Sequence, residues 1–363
     1  MNPTDKQHIL TALQVQMTAA GITTDELAAG IVSKLPTVTD AVANIKKNNT
    51  YTAKTVKTYT TGWDLLVVHH GERHLDELTF EDIEQLAKLA KSDAEKLWER
   101  RNVPRRLDRQ RPYDHDGSGA YESFLHAVRA VYKREYRKAE RPVESSPVHR
   151  VDIPSRKASH RRPLARHELT RAFDVALSGG DDPLLDGLLL RTGYESGARQ
   201  EGLVNLRLMD LDRQRQTATL DEKYGKKREQ PITRELLDEL VRFAHERGAI
   251  DPEDRVFRYR PRGGAPGRPL TARRFDTLRD RLRDSDPILG ELHFVFHLLR
   301  HTIGRRISRV AGKAVARDFL GHAGASGDVT DGYTRALKGE VAAAWATVMG
   351  VDHPLADGYD STW

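Results

Sequence analysis

Apolar residues recur at helical spacing along most of this chain. In residues 1 to about 46, Leu10, Leu13, Val15 and Met17 fall in one helix. AGITTDELAAG then turns into a second, with Thr23 and Glu26 at capping-box spacing. From 47 to about 140 three stripes follow. Thr52 is placed to cap a helix carrying Val56, Tyr59, Trp63, Leu66 and Val67 on one face. Thr79 with Asp82 starts another, carrying Ile83, Leu86, Leu89 and Ala90. A third runs through Phe124, Val128, Val131 and Tyr132. Such stripes read as core. Between 141 and 165 no apolar period survives. Pro142, Pro147, Pro154 and Pro163 punctuate the segment, and Arg150, Arg156, Lys157, Arg161 and Arg162 decorate it, which predicts a basic, extended linker.

The period returns after the linker. A helix is predicted from about His167 to Leu177 and another from Leu184 to Thr192. Thr217–Leu220 and Glu229–Ile232 flank YGKKR as a short β-hairpin. Helices resume near Glu235, and residues 271–283 form one with Phe275, Leu278 and Leu282 inward. Near the end, Val341, Ala344, Trp345 and Val348 keep helical register. The predicted fold is mostly α with a small antiparallel β-sheet. A helical extension spans 1–46, a helical domain 47–140, the linker 141–165 and a mixed α+β domain 166–363.

At 363 residues the chain has room for two cores. Charged residues are 31% and the net charge is +6, a balance that favours nucleic acid or anionic lipid as partner. The absence of cysteine excludes disulfides, thiolate nucleophiles and cysteine zinc sites. No apolar run approaches the roughly 18 residues of a membrane span. MNPTDKQHIL lacks the layout of a signal peptide, so the expected compartment is the cytoplasm.

Basic residues concentrate in places suited to phosphate. Lys54 and Lys57 lie on the first helix of 47–140, and Lys133, Arg134 and Arg137 on the third. Arg100, Arg101, Arg105, Arg106, Arg109 and Arg111 crowd a loop broken by Pro104 and Pro112. It suits tracking a DNA backbone, although a solvated charged loop would look the same. Helix 271–283 carries Arg273, Arg274, Arg279, Arg281 and Arg283. It reads equally as a helix that enters a major groove or as a solvated one. Residues 1–46 balance Lys6 and Lys34 against Asp5, Asp25, Glu26 and Asp40, and read as an extension that packs or mediates contacts.

The chemistry concentrates between His297 and Tyr333. FHLLRHT sets His297 and Arg300 three residues apart, on one helical face. Leu298, Ile303 and Ile307 are expected in the core, and His301 reads as a buried packing histidine. His322 follows in a Leu-Gly-His turn, and Tyr333 in DGYTR comes eleven residues later. Upstream, Arg199 ends a Gly-Ala-Arg turn into a helix, where free N–H groups favour an anion. Lys223 sits at the hairpin turn, where a lysine can reach a leaving oxygen. Taken singly, each of these side chains would read as structural or as surface decoration. Together they could break a phosphodiester by covalent catalysis without a metal.

In this order, SGAR, KYGKKREQP, HLLRHT, LGHA and DGYTR resemble the tyrosine recombinase (phage integrase) family. The resemblance covers 47–140 as the family's helical core-binding domain and 166–340 as its catalytic domain. It implies that Arg199 and Arg300 hold the non-bridging oxygens of the scissile phosphate and that His322 donates to the same group. By the same resemblance Lys223 protonates the leaving 5′ oxygen, His297 takes or relays the tyrosine proton, and Tyr333 becomes a 3′-phosphotyrosine, with neither metal nor ATP. DNA-facing positions would be Lys54, Lys57, Arg101, Arg105, Arg106, Lys133, Arg137, Arg273, Arg274 and Arg281. The implied partners are double-stranded DNA with a specific site, further copies in a tetramer on two sites, and optionally an accessory directionality factor. The helix after Tyr333 would dock on a neighbouring protomer by resemblance, or pack within its own domain. Two departures stand out. The family's glutamate three residues after the first arginine is Gly202 here, and the loop from His322 to Tyr333 is slightly long. A type IB topoisomerase shares the covalent logic, but usually has lysine where His297 stands. A DNA-binding protein on an inactive scaffold is the third reading, and the intact residue set argues against it.

Overall fold

In the computed structural model, the described residues are 11–12, 14–19, 35–101, 117–154, 162–222, 226–321 and 336–356. The chain divides into two compact units, Met1–Ala158 and Ser159–Trp363. Among the described residues no helix is long and apolar enough to cross a membrane.

The first unit is helical: α1 (Val38–Lys47), α2 (Ala53–His70), α3 (Phe80–Arg101), α4 (Ser118–Lys138) and the single turn α5 (Pro147–Arg150). The caps fall where side-chain oxygens can take orphan N–H groups. Thr52 accepts from Thr55 N at 3.3 Å, and Thr79 exchanges bonds with Asp82. α2 and α4 pack together in this core. They meet closely at Gly62, where a Cβ would stand 3.0 Å from that of Ala127, and Trp63 Nε1 donates to Ala127 O at 2.8 Å.

Two features depart from the sequence reading. α1 belongs to this core, with Val38, Ala41, Val42 and Ile45 buried; that i, i+3, i+4, i+7 stripe packs as any amphipathic helix does. Residues 143–151, expected to begin the linker, also pack here, burying Val148 and Val151. Of the predicted N-terminal helices, residues 11–12 and 14–19 are helical and Val15 is exposed. Leu10, Leu13, Thr23 and Glu26 lie outside the described residues.

The second unit comprises α6 (Arg166–Ser178), α7 (Pro183–Ser196), α8 (Gln200–Asn205), β1 (Leu211–Asp212), β2 (Thr217–Glu222) and β3 (Lys226–Pro231). It continues with α9 (Arg234–Glu246), α10 (Arg273–Ser285), α11 (Pro287–Glu291), α12 (His297–Phe319) and α13 (Lys338–Met349). The strands form one antiparallel sheet in the order β1-β2-β3. The fold is mostly α with this small sheet. α7 is central: all its residues from Leu185 to Ser196 are buried except Arg191. Gly193 admits the Phe296 ring against its backbone, and Phe296 meets Phe275 edge-on at 4.8 Å. α12 contains a break at Gly312, whose φ of 84° interrupts the helix.

Burying a charge is costly unless it is paired, and α7 shows how this unit meets that demand. Asp182 caps the helix and takes two bonds from Arg247, at 2.8 and 2.9 Å. Asp186 accepts from Arg274 through Nε and Nη2, both at 2.7 Å, and from Arg281 at 2.7 Å. Burial raises the Asp186 pKa and the two arginines oppose that shift. Glu195 takes Arg191 and Thr233, and burial raises its pKa too.

The last helix packs on its own unit. Trp345 is 0% exposed and donates to Glu195 O, a carbonyl in the last turn of α7, at 2.7 Å. Carbonyls there have no intrahelical partner, and a buried indole N–H needs an acceptor.

Candidate active site

Three chain segments converge around the end of α7. The helix stops at Gly197, whose φ of 59° is left-handed and favours glycine. A Cβ at that position would meet Phe319 Cε1 at 2.8 Å, so glycine is also what lets the end of α12 approach. Arg199 follows two residues on as the N-cap of α8, half-buried and in extended conformation, as the Gly-Ala-Arg turn predicted. The second segment is the start of α12, and the third is its end, Phe319–Gly321.

Arg300 joins the three. It is 2% exposed. Its Nη1 donates to Gly197 O at 2.5 Å and its Nη2 to Leu320 O. One guanidinium thus holds the turn before Arg199 and the turn before His322 to the first part of α12. Two separate nitrogens acting on two carbonyls fix the plane of the group, which a lysine could not do.

His297 and His301 lie one turn apart, both exposed, with ring centroids 4.6 Å apart and planes at 88°. His301 is therefore not the buried packing residue expected. The boundary between buried and exposed faces runs between His297 and Arg300, so the two differ in exposure. Leu298, Ile303 and Ile307 are buried as predicted, and Gly304 lets Leu320 lie against the helix.

Lys223, His322 and Tyr333 lie outside the described residues, and so do Arg105 and Arg106; of Arg101 only the backbone is described. The residues flanking them are placed. Glu222 and Lys226 pair across β2 and β3 on either side of Lys223. Gly321, with φ 61°, precedes His322. Ala336 N donates to Asp318 Oδ2 at 2.6 Å, and Lys338 Nζ to Glu229 Oε2 at 2.7 Å.

In the first unit, Lys54 and Lys57 on α2 and Lys133 and Arg137 on α4 are exposed. Arg134 Nη1 donates to Asn48 O at 2.6 Å, joining α4 to the C-cap of α1.

α10 gives the opposite result. Arg274 is 7% exposed, and both it and Arg281 are engaged with Asp186. Arg279 pairs with Asp276 and Asp280, and Arg283 donates to Phe294 O. Arg273 is exposed. Arg274 and Arg281, expected to face DNA, hold a carboxylate that α7 buries, a partner 88 and 95 residues away in sequence.

Sequence reasoning missed Arg228 and Asp318. Arg228 Nη1 donates to Phe319 O at 2.5 Å and Ser196 O at 3.4 Å, and its Nη2 to Gly197 O at 3.4 Å. A signal existed, since Arg228 lies opposite Leu220, which with Ala218 makes the buried apolar face of β2.

Residues 162–340 match the phage integrase family. The fold is that of solved integrases. A lambda integrase dimer bound to a COC′ core site superposes with TM-score 0.56 at 15% identity, over 93% of this chain and 88% of that one. The Tn1549 transposon integrase in complex with transposon right end DNA gives 0.58 at 14%, over 82% and 98%. A lambda integrase tetramer bound to a Holliday junction gives 0.55 at 14%, over 90% and 86%. With the ordered set of Arg199, the hairpin, HLLRHT and LGH, these define the class: the chain is a tyrosine recombinase of the phage integrase family.

Proposed function

We propose that this chain cleaves and rejoins specific DNA strands through a covalent 3′-phosphotyrosine on Tyr333, in DNA integration or excision. Tyrosine is a weak nucleophile near its ordinary pKa of about 10. Attack therefore needs charge stabilisation at the phosphorus and a group that takes the proton. Arg199 and Arg300 hold the non-bridging oxygens, His322 donates to the same group, and His297 accepts or relays the tyrosine proton. Lys223 protonates the departing 5′ oxygen. In the reverse step another strand's 5′-hydroxyl attacks the phosphotyrosine and frees Tyr333. Bond energy is conserved through the cycle, so ATP has no role, and the proposed steps use side chains alone.

The observation that carries this reading is the Arg300 clasp. Donors fixed before reaction cost no reorganisation when charge develops. Arg300 is fixed through Gly197 O and Leu320 O, the very turns that precede Arg199 and His322.

DNA is the proposed partner. Lys54, Lys57, Lys133 and Arg137 contact the DNA backbone from the first unit, with Arg101, Arg105 and Arg106 from the arginine-rich segment and Arg273 from the second unit. Lambda integrase has been solved on DNA as a dimer and as a tetramer on a Holliday junction. This supports assembly of four copies on two sites here. A directionality factor would act on that assembly.

The test mixes the full chain with a pool of partly randomised, nicked duplexes whose short cleaved strand diffuses away. A denaturant-resistant adduct, followed by joining of two selected duplexes, is the expected result. Relaxation of supercoiled DNA without joining would favour topoisomerase chemistry, and binding without an adduct would favour a non-catalytic scaffold.

A further inference from the structure

We propose that Arg228 is a positioning residue that docks the lysine-bearing hairpin onto the two turns of the site. The inference rests on the reading of Lys223 as the acid for the leaving group. β3 pairs with β2 in the register Leu220↔Arg228. Directly opposed residues share a face of a sheet, so Arg228 turns inward beside the fully buried Leu220.

From there it reaches Phe319 O at 2.5 Å, and Ser196 O and Gly197 O at 3.4 Å. Arg300 reaches Gly197 O and Leu320 O. Two guanidiniums from different elements thus share the carbonyl of Gly197 and take consecutive carbonyls at 319 and 320. All of these acceptors close helix C-termini, where carbonyls lack intrahelical partners and carry the negative end of the helix dipole. A cation is favoured at each, and two helix ends meeting here give room for two.

The two arginines differ in what they attach. Arg300 ties the turns to α12, on which it sits. Arg228 ties them to β3, which leads back through the hairpin turn to Lys223. Without Arg228 the turns stay clasped by Arg300 while the strand loses its hold on them. The step that suffers first is then proton delivery to the leaving oxygen, before phosphate binding or tyrosine attack.

The test uses the full chain and a duplex selected by the wild-type protein from the randomised nicked pool. The duplex is made in two forms, one ordinary and one with sulfur in place of the scissile bridging 5′ oxygen. Sulfur leaves as a thiolate and needs no proton from the protein. Arg228→Ala is expected to slow adduct formation on the ordinary duplex by about tenfold or more, yet to stay within about threefold of wild type on the sulfur duplex, because proton transfer typically contributes about 10²–10⁴-fold. Arg228→Lys keeps the charge but loses the fork of donors, and is expected to show the same pattern more weakly. It serves if the alanine variant does not fold. Equal slowing on both duplexes, or none on either, overturns the proposal.

If the wild type forms no adduct at all, the recombinase reading falls, and hydrogen exchange in the DNA-free protein decides on Arg228. Faster exchange over 217–231 in Arg228→Lys, with 297–310 unchanged, supports the docking role. Unchanged exchange in the strands overturns it.

Discussion

Arg300 Nη1 lies 2.5 Å from the carbonyl oxygen of Gly197, a contact across 103 residues of sequence. The same side chain donates to Leu320 O. The arginine of HLLRHT is therefore an architectural centre as well as the proposed phosphate ligand, and its removal has two separable consequences. Arg300→Ala is expected to lower cleavage by about 10²-fold or more, the scale seen when one fixed oxyanion donor is lost. It also takes the donor from Leu320 O, at about 1–3 kcal/mol, while Gly197 O keeps Arg228. Arg300→Lys restores the charge without the second anchor and should recover stability better than rate. Single-turnover cleavage beside a urea titration measures both, and near-normal cleavage in either variant contradicts the assignment.

Gly197 is the other half of that contact. A left-handed residue with a Cβ costs about 1–2 kcal/mol, and here the Cβ would also meet Phe319 Cε1 at 2.8 Å. Gly197→Ala is expected to lower the unfolding free energy by at least that strain. It should slow cleavage as well, because the carbonyl held by Arg300 and Arg228 must move. A urea midpoint equal to wild type would show that the turn relaxes freely.

Much of this was legible in the sequence where the cause is local. The Thr52 cap, the Thr79–Asp82 box, the hairpin around Lys223 and the helix beginning after Arg199 each follow from a few neighbouring residues. What escaped depends on distant partners. Nothing near Arg274 or Arg281 in sequence says that Asp186 is buried against them. Arg228 looks like one more basic residue in a hairpin until the ends of α7 and α12 are brought beside it. Helical spacing alone cannot say where the exposed face begins, which is why His301 reads as interior in the sequence and stands exposed in the structure.

Trp345 tests the packing of the last helix. It is fully buried and its indole N–H is paired with Glu195 O. Truncating a buried tryptophan costs about 3–5 kcal/mol. Trp345→Ala is thus expected to lower the unfolding free energy of the second unit by that amount, at protein concentrations where the chain is monomeric. A loss below about 1 kcal/mol would mean that the helix docks elsewhere in solution.

Glu168 supplies a pH dependence with a defined sign. Hydrogen bonds from Arg162 hold its carboxyl below the ordinary value of 4.5, with burial opposing and the Ala165 N–H assisting. A carboxylate with a depressed folded pKa stabilises the native state above its unfolded value, and that contribution is lost as pH falls through the folded value. Arg162→Ala is expected to be less stable than wild type above about pH 4.5, and the difference should close as pH falls below it. Urea titrations from pH 3 to 7 check this, and a constant difference would remove Glu168 as its source.

Peptide mapping of the covalent adduct locates the bond between DNA and protein. The adduct is recovered from the nicked-duplex reaction, digested with protease and nuclease, and analysed by mass spectrometry beside Tyr333→Phe. The account predicts a nucleotide joined through its 3′-phosphate to Tyr333, and no adduct from the phenylalanine variant. A phosphate on another side chain, or an adduct that persists in Tyr333→Phe, would contradict it.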